Sequence, residues 1–403
     1  MKRRKQRGIT LIALVITIIV LIILAGVSIN MLVGENGIIT QAQKGKEDTE
    51  KAKIEEEQAM NLLYDTIMTE GRVNVVDKTV EQIKEEGNYV VGNTQIKDSK
   101  GNKVVIPDGF KIAVDSGNNV SEGIVIEDKD LSIDGNGENR GNQFVWVPVG
   151  NIIRADGTQT TITLGRYTFA EDGTETLVQD ANHYMEQGDS ILIDGKYKEL
   201  IEARISNGSA GADGTNTTAR NLKGFIDSTK SKGGYYIARY EASYKDGIMP
   251  YSKVSLEATE DHEYRKGKLW AKITQKDAAQ ACRNMYSNVN FESDAVNSYA
   301  WDTAILYIQK CSGDTDYARQ NGLKSVIENT GKTGDERCKI NDMASNLIEI
   351  TTEYCTDIID SVAYPGTTRS GGYSYLNDYA SGRYSNNRAD NFTFRVGFRA
   401  IVY

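Results

Sequence analysis

The sequence predicts an α+β fold with three parts: a long N-terminal helix that includes a transmembrane section, a small β-rich spacer, and an irregular C-terminal domain. An uncharged, largely apolar run at residues 8–27 predicts the helix. Short apolar runs separated by Gly, Asn and Asp predict the spacer at residues 70–140. Aromatic and β-branched runs alternate with helical patterns at residues 277–286 and 301–310, and together they predict the mixed domain at residues 141–403.

The apolar run is long enough to cross a bilayer, since a helix of this length covers roughly 30 Å at about 1.5 Å per residue. It is preceded by five basic residues: Lys2, Arg3, Arg4, Lys5 and Arg7. By the positive-inside rule, these place the N-terminus in the cytoplasm and the rest of the chain outside. We therefore predict a helix over residues 9–69 with its transmembrane part at 9–33. A buried core helix and a secretory signal peptide are the alternatives.

The boundary at Arg7-Gly8, followed by Ile9-Thr10 and the apolar run, resembles the start of type IV prepilins. The resemblance covers residues 1–60 and implies a leader at 1–8, cleavage between Gly8 and Ile9 by a prepilin peptidase, and contact with other pilin subunits. Ala13 stands where that family usually has Glu. Because the Glu is thought to pair with a neighbouring subunit, polymerisation into a pilus stays open.

Composition narrows the classes of function. The 403 residues carry a net charge of −9, and a surface of this sign repels nucleic acid. A hydrophobic fraction of 39% and a charged fraction of 26% are typical of a folded domain behind one membrane anchor. The 22 tyrosines favour recognition surfaces, since Tyr supplies a large contact area at low entropic cost.

Cysteine and histidine usage argues against a metal centre. The four cysteines, Cys282, Cys311, Cys338 and Cys355, contain no C-x-x-C spacing, which is the usual mark of a zinc site. An exported chain can join them in three disulfide pairings, and free buried thiols are equally open. His183 and His262 are the two histidines and are too few for a histidine-rich site.

Five blocks, in order, resemble the sulfatase-modifying-factor (formylglycine-generating-enzyme-like) family. They are Phe144-Val145-Trp146-Val147-Pro148, Gly234-Tyr235-Tyr236-Ile237-Ala238-Arg239-Tyr240-Glu241, Asp342-Met343-Ala344-Ser345-Asn346, Gly371-Gly372 and Gly397-Phe398-Arg399. The resemblance implies a C-type-lectin-like fold over residues 141–403, with an insertion at 155–220. Ser345 replaces a Gly of the family pattern, and the segment after it lacks two Trp.

The chemistry of that family is missing from this chain. Its oxidases use a copper-binding cysteine pair between the Gly371-Gly372 turn and the Gly397-Phe398-Arg399 end, and no cysteine lies there in this sequence. Its iron-dependent relatives need several histidines. The sequence therefore predicts a protein that is not an enzyme, with an oxidase as a remote alternative.

Residues 373–391 (YSYLNDYASGRYSNNRADN) have the composition of a recognition surface, in which rigid Tyr combines with adaptable Asn, Ser and Gly. They also resemble the variable region of proteins diversified by retroelements. An ordinary polar loop is the alternative. We predict that the following side chains contact a protein or glycan ligand: Tyr373, Tyr375, Asn377, Asp378, Tyr379, Arg383, Tyr384, Asn386, Asn387, Asp390 and Asn391.

Asn346 and Glu349 are candidates for a structural calcium site, since lectin-type folds often bind calcium through oxygen ligands. Hydrogen bonding near a strand end is the alternative, and no other cofactor is expected. Together these features predict a non-catalytic, adhesin-like or receptor-like protein, attached to the bacterial cytoplasmic membrane with an extracellular C-terminal domain. A minor pilin or pseudopilin is the structural alternative.

Overall fold

A computed structural model describes residues 16, 18–21, 73–181, 191–193, 197–201, 222–258, 266–288, 291–322, 326–355, 358–359, 362–363, 366–369, 379–387 and 395–403. The chain divides into two units, residues 1–70 and 71–403. The helices and strands from Asn74 onward belong to the second unit.

Helices are few, and their ends follow from capping residues. They are α1 (Val80–Glu86), α2 (Leu222–Lys232), α3 (Gln275–Arg283) and α4 (Ser298–Ser312), with two 3₁₀ turns at Val120–Glu122 and Tyr317–Arg319. The side chain of Asn297 caps α4 by accepting a hydrogen bond from the Ala300 amide, and Gly313 ends the helix with a left-handed φ of 85°. The helices predicted at 277–286 and 301–310 are confirmed as α3 and α4.

Most regular structure is short β-strand. The strands in chain order are β1 (Asn74–Thr79), β2 (Thr94–Lys97), β3 (Lys103–Ile106), β4 (Lys111–Ile112), β5 (Val125–Glu127), β6 (Ser132–Ile133), β7 (Asn139–Arg140), β8 (Gln143–Pro148), β9 (Gly150–Ile153), β10 (Gln159–Ile162), β11 (Gly165–Phe169), β12 (Glu175–Asp180), β13 (Ile191–Ile193), β14 (Tyr197–Ile201), β15 (Gly234–Ala238), β16 (Ser243–Tyr244), β17 (Pro250–Tyr251), β18 (Ser287–Asn288), β19 (Phe291–Ala295), β20 (Glu336–Arg337), β21 (Ile340–Asn341), β22 (Ile348–Cys355), β23 (Ile358–Ile359), β24 (Val362–Ala363), β25 (Gly366–Arg369), β26 (Arg383–Asn387), β27 (Val396–Gly397) and β28 (Ala400–Val402).

A seven-stranded sheet with the order β18-β19-β28-β15-β8-β5-β4 forms the centre of the unit. Strands β8 and β15 lie at its middle and are buried along their whole length, as expected for continuous aromatic and β-branched runs. They pair antiparallel, with Tyr236 opposite Trp146 and the two ring centroids 5.0 Å apart. Strands β4 and β5 come from the stretch expected to form a spacer, yet they complete this sheet.

A second sheet has the order β13-β14-β22-β25-β26, and β27 pairs in parallel with β22. Helix α4 contacts β8 of the central sheet as well as β10, β11 and β22. It is almost entirely buried, including Trp301, Ile305, Tyr307 and Ile308. The helix is therefore a common core element for both sheets.

The predicted fold class is wrong. The long N-terminal helix is not seen: of residues 9–69, the structure describes Ile16 and residues 18–21, and the rest of that prediction lies outside the described residues. None of the described helices combines the length and apolar character needed to span a bilayer. The described chain is built mainly of short strands, because Gly, Asn and Asp interrupt its apolar runs every few residues.

Gly123 provides a test of how closely the second unit is packed. Its φ is 91°, and a Cβ there would collide with the carbonyl of Cys338. Gly101 has a similar φ of 88° but nothing within 4 Å of the same position. We expect Gly101→Ala to lower the free energy of unfolding by roughly 1 kcal/mol through backbone strain alone. Gly123→Ala should cost roughly 1–3 kcal/mol more through overpacking.

Urea unfolding of the two variants beside the wild type measures this difference. Equal losses in the two variants would contradict the close approach of residue 123 to the turn at residue 338.

Candidate ligand-binding segment and its buried support

The structure describes residues 379–387 of the predicted recognition surface. Tyr373, Tyr375, Asn377, Asp378, Asp390 and Asn391 lie outside the described residues, as do Gly8 and Ile9 of the predicted processing site. Asn386 and Asn387 belong to β26, and their side chains are outside the description. The side chains that can be located are therefore Tyr379, Arg383 and Tyr384.

A turn at residues 379–382 leads into β26, which lies at the end of the second sheet's strand order. The Gly382 amide donates to the Tyr379 carbonyl at 2.7 Å and closes the turn. The amides of Ala380 and Ser381 donate at 3.0 Å to the carbonyls of Gln320 and Ala318. These bonds tie the turn to the chain next to the 3₁₀ turn Tyr317–Arg319.

Two further bonds connect the turn to buried side chains. The indole nitrogen of Trp301 on α4 donates to the Ala380 carbonyl at 2.9 Å, and Nε of Arg369 donates to the Gly382 carbonyl at 2.9 Å. Both donors are fully buried. Because buried donors lose water on folding, each bond is costly to break, and the turn is held in one conformation.

Tyr379 and Tyr384 are both partly exposed, and each ring has a fixed neighbour. The guanidinium of Arg319 lies 4.1 Å from the centroid of the Tyr379 ring, within the range of a cation–π interaction. Gly382 lies so close to the Tyr384 ring that a Cβ would come within 2.6 Å of it. These contacts hold two aromatic rings at the surface with little freedom to lose on binding.

Arg383 was predicted to contact a ligand, but the structure places its side chain in the interior. It is 4% exposed, and its guanidinium bonds to Asp302 at 2.6 Å and to Glu353 at 3.1 Å. A side chain enclosed in this way supports the segment from beneath. The physical reason is the alternation of side chains along a strand: Arg383 points inward and Tyr384 lies on the other face.

Arg383 belongs to a group that we call the arginine cluster: Arg166, Arg369, Arg383, Asp302 and Glu353. Arg166 bonds to Glu353 and Arg369 bonds to Asp302, and all four of these side chains are fully buried. Arginine suits these positions better than lysine, because each guanidinium presents a rigid planar fork that fits a carboxylate. The cluster joins α4, β11, β22, β25 and β26.

The electrostatics of the cluster follow from burial and mutual charge. Burial alone would raise the pKa of Glu353, but the guanidinium groups of Arg383, Arg166 and Arg369 outweigh it and lower that pKa to about 2. Burial lowers the pKa of Arg369, and the charge of Arg383 lowers it further. Glu353 is thus held ionised by more than one guanidinium.

The calcium candidates Asn346 and Glu349 lie in a second buried group. Both oxygens of Glu349 accept from Nε of Arg399, at 2.9 and 2.7 Å. Nδ2 of Asn346 donates to Glu241, and its Oδ1 accepts from the Glu328 amide at 3.0 Å. These oxygens already have protein partners near the start of β22. Across the described ranges, no three His, Cys, Asp or Glu side chains are grouped to hold a metal ion.

In the second group, burial disfavours the ionised form of the carboxylates. Burial raises the pKa of Glu241, and the charges of Asp342 and Glu349 raise it further, with Arg399 opposing them. Burial also raises the pKa of Asp342 to about 6, against hydrogen bonds from Thr333 and Thr330. The two buried groups therefore respond to pH in opposite directions.

Sequence reasoning missed the arginine cluster, apart from naming Arg383 for another role. Its members come from five separate elements and share no local spacing. One signal was present: Asp302 is a lone carboxylate in the apolar run of the helix predicted at 301–310. A charge in such a position is normally paired when it is buried.

No protein-family model matches this chain, and no significant match was found among curated proteins or solved structures. The site is therefore described by its geometry alone. It is a rigid surface made of a turn and a strand, with two fixed tyrosines above a buried cluster of charged side chains. The resemblances to prepilins and to the sulfatase-modifying-factor family stay predictions.

The arginine cluster predicts an acid-dependent loss of stability. Because the pKa of Glu353 is lowered from its usual 4.5 to about 2, its contribution is present above pH 4.5 and is lost as the pH falls toward 2. A shift of this size corresponds to about 3 kcal/mol. Urea unfolding between pH 7 and pH 2 should show this loss, and Glu353→Gln should remove most of it.

Asp342→Asn is the matched control. The raised pKa of Asp342 makes its contribution to stability fall as the pH rises from 3.8 to about 6. This variant should lessen that fall and keep the loss of stability between pH 4.5 and 2. A Glu353→Gln protein that keeps the wild-type slope between pH 4.5 and 2 would contradict the account.

Proposed function

We propose that this protein is a non-catalytic ligand-binding protein that presents residues 373–391 as its recognition surface. The observation that carries the proposal is the pair of partly exposed rings of Tyr379 and Tyr384, held on a turn and strand that are bonded to buried side chains. Rigid aromatic anchors of this kind lose little entropy on binding and dominate the energetics of many interfaces.

The arrangement also favours a surface whose sequence can vary. A change at Tyr379 or Tyr384 alters what the surface offers to a ligand, whereas a change at Arg383 removes a partner of Asp302 and Glu353. We propose that the exposed positions of the segment are the variable ones and that Arg383 is part of the constant support. This extends the resemblance to retroelement-diversified proteins.

Sequence features supply the proposed location. The basic residues before the apolar run at 8–27 favour export, and we propose that the second unit acts at the bacterial cell surface. The ligand is a protein or a glycan, since Tyr and Asn serve both, and the negative net charge argues against nucleic acid.

Binding assays with a printed glycan array and a displayed random-peptide library test the proposal. We expect the full chain to select ligands from one of the two probes. Tyr379→Ala and Tyr384→Ala should each weaken binding by at least tenfold, corresponding to about 1.4 kcal/mol or more, because each removes a fixed aromatic anchor. Asn386→Ala should have a smaller effect.

Tm values of the variants serve as the control for folding, since both tyrosines are partly exposed and their loss should change stability little. Selected ligands that bind the two tyrosine variants as tightly as the wild type would contradict the proposal. So would the absence of any selected ligand from either probe.

A further inference from the structure

Two cysteines that are distant in sequence converge beside Tyr307. Cys311 lies one helical turn after Tyr307 on α4, and the Tyr307 hydroxyl donates to the Val120 carbonyl at 2.7 Å. The thiol of Cys338 contacts the carbonyl of the next residue, Ser121, at 3.5 Å. The Cys338 thiol therefore lies at the same short stretch of backbone as the hydroxyl of Tyr307, which precedes Cys311 by one helical turn. The two thiols interact electrostatically with each other and with the tyrosine.

An ion pair fixes the two segments side by side. Nε of Arg337, the residue before Cys338, bonds to the carboxylate of Asp314, three residues after Cys311. The same guanidinium lies 5.8 Å from the centroid of the Tyr317 ring. The turn that carries Cys338 is thus clamped against the end of α4 by contacts that do not involve sulfur.

The turn between β20 and β21 has an unusual choice of residues. Cys338 and Lys339 form its centre, with φ of 48° and 66°. Two-residue hairpin turns of this hand require positive φ at both positions and usually contain Asn and Gly, because other residues are strained there. A cysteine in this position is explained by a role for its thiol.

We propose that Cys311 and Cys338 form an intramolecular disulfide that fastens the β20–β21 turn to the end of α4. The reaction is thiol–disulfide exchange: the two thiols lose two protons and two electrons, and a small-molecule disulfide such as oxidised glutathione is reduced to two thiols. The structure holds Cys282, Cys311 and Cys338 as thiols, and we expect Cys282, which is fully buried on α3, to stay one.

The environment favours a lasting cross-link over a rapid redox sensor. Burial raises the pKa of Cys311 to about 12, with the charge of Arg154 opposing it. Burial also raises the pKa of Cys338, and the nearby Cys311 raises it further. Since the thiolate is the reacting form, exchange at these sites is slow in both directions. The bond forms once and then persists.

The cross-link would stabilise α4, which carries Trp301 and Asp302 beneath the candidate ligand-binding segment. The inference does not depend on the proposed function, because the bond can form whether or not residues 373–391 bind a ligand. Its test is correspondingly independent of any binding assay.

Mass spectrometry of the full chain tests the pairing directly. Reduced protein is incubated under native conditions with oxidised glutathione, alkylated and digested without reductant. We expect a linked peptide pair containing Cys311 and Cys338, and a rise in Tm of about 5 °C from closing the chain between these residues. A pairing with Cys282 or Cys355, or glutathione attached separately to Cys311 and Cys338, would overturn the proposal.

Variants distinguish the effect of the disulfide on Tm from the general effects of mutation. Cys311→Ser and Cys338→Gly should each abolish the rise in Tm on oxidation, and glycine suits the positive φ of residue 338. Cys282→Ala is the matched control and should keep the full rise. A rise that persists in Cys311→Ser would also overturn the proposal, and the linkage measured in the wild type decides the matter even if a variant fails to fold.

Discussion

The second sheet depends on two carboxylates, Asp302 and Glu353, that are shared among three buried arginines. They connect α4 and β22 to three further strands, and through Arg383 and Arg369 they reach the turn and strand at residues 379–387. Trp301 lies next to this cluster, with the guanidinium groups of Arg369 and Arg399 at 5.7 and 5.8 Å from its ring. Its side chain therefore lies between the two buried charged groups.

Stability alone does not account for such a cluster, since replacing buried ion pairs with well-packed apolar residues is often neutral or favourable. The cluster is better explained as a feature that fixes the pairing register of β25 and β26. Arg369 and Arg383 are directly paired across β25 and β26, and a slip of β26 by one residue would turn the Arg383 guanidinium away from its carboxylates. We interpret the cluster as the feature that places Tyr379 and Tyr384 at the surface and keeps Arg383 inside.

The parts of the structure that could be predicted were those determined by the sequence of a single segment. Residues 143–148 formed a buried strand because their centre, residues 144–147, is continuously aromatic and β-branched, and α3 and α4 followed their apolar periodicity and capping residues. The fold class was wrong, because the apolar run at 8–27 dominated the prediction while the rest of the chain consists of many short strands. Arg383 was assigned to a ligand because its neighbours are polar; its inward direction depends on Asp302 and Glu353, which are 81 and 30 residues away in sequence.

Hydrogen exchange followed by mass spectrometry tests most directly whether the arginine cluster holds the candidate ligand-binding segment. The measurement compares amide protection at residues 379–387 and in β8 and β15, in the wild type and in Asp302→Asn, under conditions where both proteins are folded. We predict that the variant loses protection at 379–387 while β8 and β15 keep theirs. Unchanged protection at 379–387 in a folded variant would contradict it.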